Sequence, residues 1–444
     1  MKKKNVISII LQLMFLGFVS KGLSMVARIL TTRMIGLEAM AIYTLASPAM
    51  VFLITLAQMG LPTAIATLIS KHKERSKKIF TCGLILSCII SIIFMTLTIW
   101  LSPFLAKNVL KNESVTLTLY ALALLIPLVG LSSLLKGYFI GHNRVKMTAK
   151  SSIAEEISRI IFVLLFLDHF TKIGPEYAAF GAMLGVCVGE VFQSLYLLTE
   201  SQFHLYKRSL EIFNLKEIHP LEEIPGILSL SLPITLSRIV GSLTYFAEPI
   251  LTTNMLLKAG YNANEIMLDY GVLNGYAMPI LLLPGFFALA LANYLLPNMA
   301  SYVGKKEYGK AKKIFLNVLG ISLGIGISMS IFFFFFGNTV LRILYHTEEG
   351  AKYIHYLAFP FILYYIESPL NNAMHALGLT KKAFITTVLS CIVRILSLLV
   401  LINHFHIMAV ALSTIFEIFL TIVLNGYHVL HAFSRYQKES AIRA

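Results

Sequence analysis

Residues 71–102 read KHKERSKKIFTCGLILSCIISIIFMTLTIWLS: eight positions carrying five Lys or Arg, then 24 without a single charge. As a helix, 24 residues rise about 36 Å, enough to cross a hydrocarbon core of about 30 Å. A basic cluster abutting such a run marks the cytoplasmic end of a membrane helix. The pattern returns 235 residues later, where Lys312-Lys313-Ile314-Phe315 repeats Lys77-Lys78-Ile79-Phe80 after a similarly basic lead-in from Gly304. This stretch therefore predicts both a membrane-spanning helix and an internal duplication.

The rest of the chain extends that reading. Its 444 residues are 57% apolar and only 13% charged, with a mean hydropathy of +0.77; soluble domains are about a quarter charged. Apolar stretches of about 20 residues place twelve spans near 6–31, 39–61, 79–102, 117–137, 151–168, 178–199, 226–250, 271–294, 314–336, 353–374, 384–403 and 407–430. The connections left over are too short for a sizeable soluble domain, which excludes most cofactor enzymes. The net charge of +15 would suggest nucleic acid in a soluble protein. Here 25 of the 37 Lys and Arg fall in segments that are cytoplasmic if both termini are, seven fall outside and five lie within spans. The positive-inside rule thus predicts a multi-pass cell-membrane protein with both termini cytoplasmic, and no nucleic-acid partner. Lys2 to Lys4 before an apolar run imitate a signal peptide, but Lys21 interrupts the run and no A-x-A site follows, so this segment reads as the first span.

The duplication has further members. Arg159-Ile160 is echoed by Arg394-Ile395 at the same offset of 235, Ser20-Lys21 by Ser237-Arg238, and Leu30-Thr31-Thr32 by Leu251-Thr252-Thr253. Six spans separate the copies, so both enter the membrane in the same sense. The expected fold is an all-α polytopic membrane protein with about 12 transmembrane helices in two six-helix parallel-repeat lobes, residues 1–215 and 216–444, around a central cavity. The connection over 200–225 is the expected linker.

Lys21, Arg28, Arg159, Arg238 and Arg394 lie within spans. A lipid-facing charge costs about 2.5–3.5 kcal/mol near a helix centre, so the five together would cost on the order of 12–18 kcal/mol. Most of them must therefore face water or a carboxylate. Gly17, Lys21, Ser24 and Arg28 share one face of the first helix, and Thr235, Arg238, Ser242 and Tyr245 one face of the seventh. As repeat mates, these stripes are expected to meet at the central axis; for Arg28, snorkelling to the outer surface is an equal alternative. Glu155 and Arg159 stand four apart in an order suited to a helical ion pair. Arg394 and Glu367 join them as ion-pair or coupling candidates, with Glu190, Glu248 and Glu417 as further membrane carboxylates.

Prolines 48, 127, 233, 279, 284, 360 and 369 predict bent helices. Gly181, Gly185 and Gly189, and likewise Gly320, Gly324 and Ser328, predict close-packing ridges. The four cysteines fall in apolar runs and read as packing residues. Gly304-x4-Gly309-Lys310 mimics a phosphate loop but has Ala311 where Ser or Thr is needed. The histidine pairs 404/406 and 428/431 lack further ligands, so no metal and no cofactor is expected.

The run from Ser20 to Gly36, Ser-Lys-Gly-Leu followed by Arg28, Arg33 and Gly36, resembles the pattern S-K-x-L-x4-R-x4-R-x2-G of the stage V sporulation protein B family. Tyr43, Pro48 and the stretch from Gln58 to Ile65 continue the likeness. That family belongs to the multidrug/oligosaccharidyl-lipid/polysaccharide exporter superfamily and is related to the lipid II flippases. The resemblance implies a non-enzymatic flippase that carries a polyprenyl-diphosphate-linked saccharide, a peptidoglycan-precursor-like molecule such as one for spore cortex, to the outer leaflet by alternating access. It makes Lys21, Arg28 and Arg238 the diphosphate ligands, with Ser24, Ser242 and Tyr245 beside them. Coupling to membrane potential, H+ or Na+ and a monomeric state are the accompanying expectations. The alternative is a cation-coupled multidrug exporter; against it, the two Asp, 168 and 269, fall in outer loops. A membrane glycosyltransferase would need acidic or histidine catalysts in a large outer loop, and the longest, 251–270, is short and plain.

Overall fold

The computed structural model describes residues 3–205 and 223–443, and the described backbone is helical with no strand. In chain order the helices are α1 Lys3–Gln58, α2 Leu61–Lys71, α3 Ser76–Phe104, α4 Thr116–Gly141, α5 Val145–Ile173, α6 Pro175–Leu205 and α7 Ile224–Lys258. They continue with α8 Ala263–Gly271, α9 Met278–Leu282, α10 Gly285–Gly304, α11 Tyr308–Tyr345, α12 Ala351–Leu357, α13 Ile362–Ala376, α14 Thr380–Phe405 and α15 Met408–Arg443. In hydrocarbon a backbone must satisfy its own hydrogen bonds, and only the helix does so within one segment.

The twelve apolar stretches all fall on helical regions, yet not one to a helix. The first two share α1, divided at Gly36, whose φ of 75° and ψ of −178° suit glycine alone. The stretch at 271–294 is interrupted: Val272–Ala277 winds as a π-helix and α9 ends just before Pro284. That at 353–374 is split between α12 and α13 by a turn containing Pro360. Pro233 lies one turn before a 41° bend in α7 at residues 236–238. Eight described helices are long and apolar enough to cross a membrane, nine counting the bent α7. Helix α5 falls short of that standard because Glu155, Glu156 and Arg159 dilute its apolar face.

The chain packs as two compact units, Met1–Pro249 and Ile250–Ala444. The expected boundary at 215/216 and most of the expected linker lie outside the described residues; of the rest, 200–205 continue α6 and Ile224 begins α7. Within the first unit α3 packs on α4, α4 on α2 and α6, and α5 on α6; within the second the same relations join α11 to α13, α13 to α10 and α15, and α14 to α15. The core side chains repeat as well. Phe80, Leu135, Tyr138 and Phe139 lie buried in one core, and Phe315, Leu370, Ala373 and Met374, each 235 residues on, lie buried in the other. Leu61 and Ile65 of α2 correspond in the same way to Leu295 and Met299 of α10, at 234. The Lys-Ile-Phe repeat is thus the visible tip of a duplicated core.

Small residues set the helix spacing. Gly181, Gly185 and Gly189 lie against Phe170, Phe162 and Glu155 of α5, as their ridge predicts. The ridge of Gly320 and Gly324 faces open space instead. Helix α11 packs through Ser322, Gly326, Ser330 and Gly337, offset by two residues, or about 200° around the axis. Three cysteines, Cys82, Cys187 and Cys391, are buried in packing positions, while Cys88 is exposed on α3.

The tightest approach joins α4 to α2: a Cβ on Gly137 would stand 2.5 Å from the Pro62 carbonyl oxygen and 3.0 Å from its Cα, both backbone atoms. Gly137→Ala should therefore lower stability by about 1–3 kcal/mol through overpacking. Gly320→Ala, in open space on a helix, should raise it by up to about 1 kcal/mol. Thermal unfolding of the two purified variants checks the contrast, and equal melting points would refute it.

Candidate functional site

Two kinds of polar site are built into the apolar helices. The first is the stripe on α1 and α7. Lys21 is exposed, and Ser24 and Arg28 are half-buried on the same face. Lys21 stands 15 residues before the Gly36 break, about 22 Å along the helix, so it sits deep in the first span rather than at its rim. Arg28 is about two turns from the break, within reach of the helix end. On α7 Arg238 is exposed while Thr235 and Ser242 are buried. Their hydroxyls turn back onto their own helix, Thr235 donating to the Ser231 carbonyl at 2.7 Å and Ser242 to the Arg238 carbonyl at 3.1 Å. Ser242 thereby serves its own helix, and Tyr245 is half-buried one turn on. The α7 segment carrying Arg238 packs in the first unit: Phe246 stacks on Phe52 of α1 with ring centres 5.2 Å apart.

The second kind lies between helices. Glu155 of α5 receives the Gln193 side-chain N–H from α6, and the Lys136 Nζ of α4 lies 4.0 Å from it. Ser132 of α4 donates to Glu190 of α6. Arg159 pairs with Glu156 at 3.5 Å, one turn away, rather than with Glu155 as the four-residue spacing suggested. Glu156 is buried and the other members are half-buried, apart from the buried Gln193 and Ser132. The cluster holds three carboxylates against two cations.

The second unit has its own version between α13, α14 and α15. Arg394 Nη1 meets Glu417 Oε2 at 2.7 Å, and the Cys391 thiol donates to the other oxygen at 3.9 Å. Glu367 accepts from Asn371, whose own carbonyl oxygen accepts from Asn425 at 2.6 Å. Thr421 donates to Ser390 at 2.8 Å. At the offset of 235, Ser132 and Lys136 correspond to Glu367 and Asn371, and Arg159 to Arg394. Duplication kept the polar places and changed their charges: Glu367 stands where the first unit has a serine. Sequence reasoning did not single out Lys136, Gln193, Glu156 and Asn371. The signal was present, since Ser132/Lys136 and Glu367/Asn371 are four-residue pairs on one helix face.

A family model described as polysaccharide biosynthesis protein matches residues 3–303. The chain belongs to that family. A second model, MatE, matches residues 274–400. The stage V sporulation protein B of Bacillus subtilis (strain 168) is 30% identical to this polysaccharide biosynthesis family member over 406 residues, covering 89% of this chain and 77% of that protein. This agrees with the resemblance at residues 20–36. The lipid II flippase MurJ of the same organism is 28% identical over 199 residues, covering 40% of this chain and 37% of that one. Among solved structures, the inward-facing conformation of a multidrug resistance MATE family transporter of the MOP superfamily superposes with a TM-score of 0.75 at 16% identity, over 94% of this chain and 96% of that one. At that identity the likeness shows the fold: the chain is an all-α, multi-pass membrane protein with the two-lobe fold of the MOP transporters.

Proposed function

We propose that this protein is a flippase which carries a polyprenyl-diphosphate-linked saccharide from the cytoplasmic to the outer leaflet by alternating access, without enzymatic chemistry. One observation carries the reading. In the first unit, the charges exposed in the middle of membrane helices are cations, Lys21 and Arg238, whereas Glu155, Glu156, Glu190 and Glu248 are buried or half-buried. An exposed Lys or Arg in mid-span is tolerable where it faces a wet path, and such a path is electropositive. It suits a diphosphate, which Arg binds through paired N–H groups and Lys as a point charge. Arg28, with Ser24 beside it, extends the same face. The resemblance to stage V sporulation protein B and to lipid II flippase MurJ supports the same substrate class. Both termini are cytoplasmic in this proposal, the protein acts as a monomer, and an inside-negative potential favours outward movement by about 2.3 kcal/mol per charge per 100 mV. The Glu155/Arg159 and Glu367/Arg394 clusters, each with one more carboxylate than cation, are the proposed places for coupling to H+ or Na+.

The match of the MatE model to residues 274–400 favours, as a second reading, a cation-coupled drug exporter. One assay separates the two. Proteoliposomes given fluorescent lipid II, other polyprenyl-diphosphate sugars or a cationic dye are expected to translocate a lipid-linked sugar and to leave the dye distribution unchanged. Dye efflux without headgroup transfer would reverse the assignment.

A further inference from the structure

The second unit carries a cavity of about 530 Å³ that no step of lipid-headgroup transfer uses. Its walls come from the α7–α8 turn, α8, the start of α12 and the α14–α15 turn. On the expected topology all four lie on the outer side. The volume is in the range of pockets that hold one small molecule.

Its chemistry is specific. Tyr261, Tyr356 and Phe405 present exposed rings, and Tyr356 is 67% accessible despite its size. Glu265 and Asp269, four residues apart on α8, share one face and are both exposed. His406 also lines the cavity, its Nε2 3.1 Å from the Tyr261 hydroxyl. It is held at φ 50° and ψ −134°, a backbone setting that favours glycine. Its ring lies against Tyr261, with centres 4.8 Å apart, which sets an imidazole beside the aromatic wall. The one cation of the pocket, Lys352, already lies over the Tyr353 ring, 5.0 Å from its centre.

Aromatic faces give apolar contact with the C–H face of a pyranose, and carboxylates accept its hydroxyl protons in charge-assisted bonds. Two acids against one occupied lysine disfavour a phosphate. An organic cation, which aromatic faces and carboxylates also attract, is the competing occupant, and the competition experiment below separates it from a sugar. We propose that this cavity is a saccharide subsite that takes an uncharged sugar ring on the outer side of the membrane. The proposal rests on the saccharide-carrying reading above, and it adds a second place where the glycan is held after the diphosphate has left the cationic path.

Binding can be measured without transport. Full-length protein in detergent is titrated with N,N′-diacetylchitobiose by saturation-transfer NMR and calorimetry, alone and with tetramethylammonium. Saturable binding is expected, weakened roughly tenfold by Glu265→Gln, as for loss of one charge-assisted hydrogen bond, and similarly by Tyr356→Ala. Both side chains are exposed, so gel filtration should show folded variants. No saturable binding, binding equal in both variants and wild type, or displacement of the sugar by tetramethylammonium would each overturn the site. Sugar binding that persists in a protein unable to transfer lipid-linked headgroups would sustain the site and reject the flippase reading.

Discussion

Replacing Lys21 or Arg238 with alanine should reduce headgroup translocation by roughly ten- to a hundredfold, with normal membrane expression. A diphosphate held by a partly desolvated cation gains a charge-assisted interaction of about 1.5–3 kcal/mol, and truncation loses about that amount at each contact. Where both cations act on the same diphosphate, the double loss is about 3–6 kcal/mol, a hundredfold at least. Lys21→Arg should retain substantial transfer, since a charge remains, whereas Lys21→Gln should not. The measurement is reduction or enzymatic modification of a labelled headgroup in proteoliposomes, normalised to protein incorporated. Full activity in both alanine variants would remove Lys21 and Arg238 from the path. The two residues are a fair test because neither is buried. Loss of transfer with an unchanged melting temperature then reports on the path and not on folding.

Much of this architecture could be read before any coordinates, for a physical reason. Hydrocarbon forces apolar runs into helices, and the Lys-Ile-Phe repeat marks positions where Phe80 and Phe315 fill equivalent cores. What could not be read was where one apolar run breaks or two fuse. The first two stretches lie on either side of the break at Gly36, so that separation was legible, whereas the later breaks were not. The π-helix at Val272–Ala277 likewise leaves no compositional trace. Among site residues, the mid-span cations were legible because a charge in an apolar run needs an explanation. Their surroundings were not. Glu155 and Glu156 are adjacent, and both lie within a turn of Arg159. Only the placement of α6, with Gln193 turned toward Glu155, sends the arginine to Glu156. Lys136 lies at the end of the apolar stretch 117–137, and α4 continues past it to Gly141 and carries it between helices. The Gly320/Gly324 ridge failed differently: small residues permit close approach but do not say which face of α11 is approached.

The two interhelical clusters should both lose stability when their arginines, which are repeat mates, are removed. Arg394→Leu leaves Glu417 and Glu367 with no cation among the groups shown to contact them, and stranding a half-buried carboxylate in this way costs about 3 kcal/mol. For a unit of this size that corresponds to a fall in melting temperature on the order of 10 °C. Arg159→Leu likewise strands Glu156, which is buried, and the Lys136 that remains lies beside Glu155, so the fall should be of similar size. The decisive variant is the double one. If the penalty comes from the stranded carboxylate and not from lost packing, Arg394→Leu with Glu417→Leu should recover most of the melting temperature, because an apolar pair of similar volume often matches a buried ion pair. If the double variant is as unstable as Arg394→Leu alone, the arginine's stem was packing the α14–α15 contact and the pair contributes little. Transport then separates structure from coupling. A double variant that is stable yet no longer responds to a pH or Na+ gradient places the coupling carboxylate at Glu417. One that still responds moves it to Glu367, which keeps Asn371 as its partner in both variants.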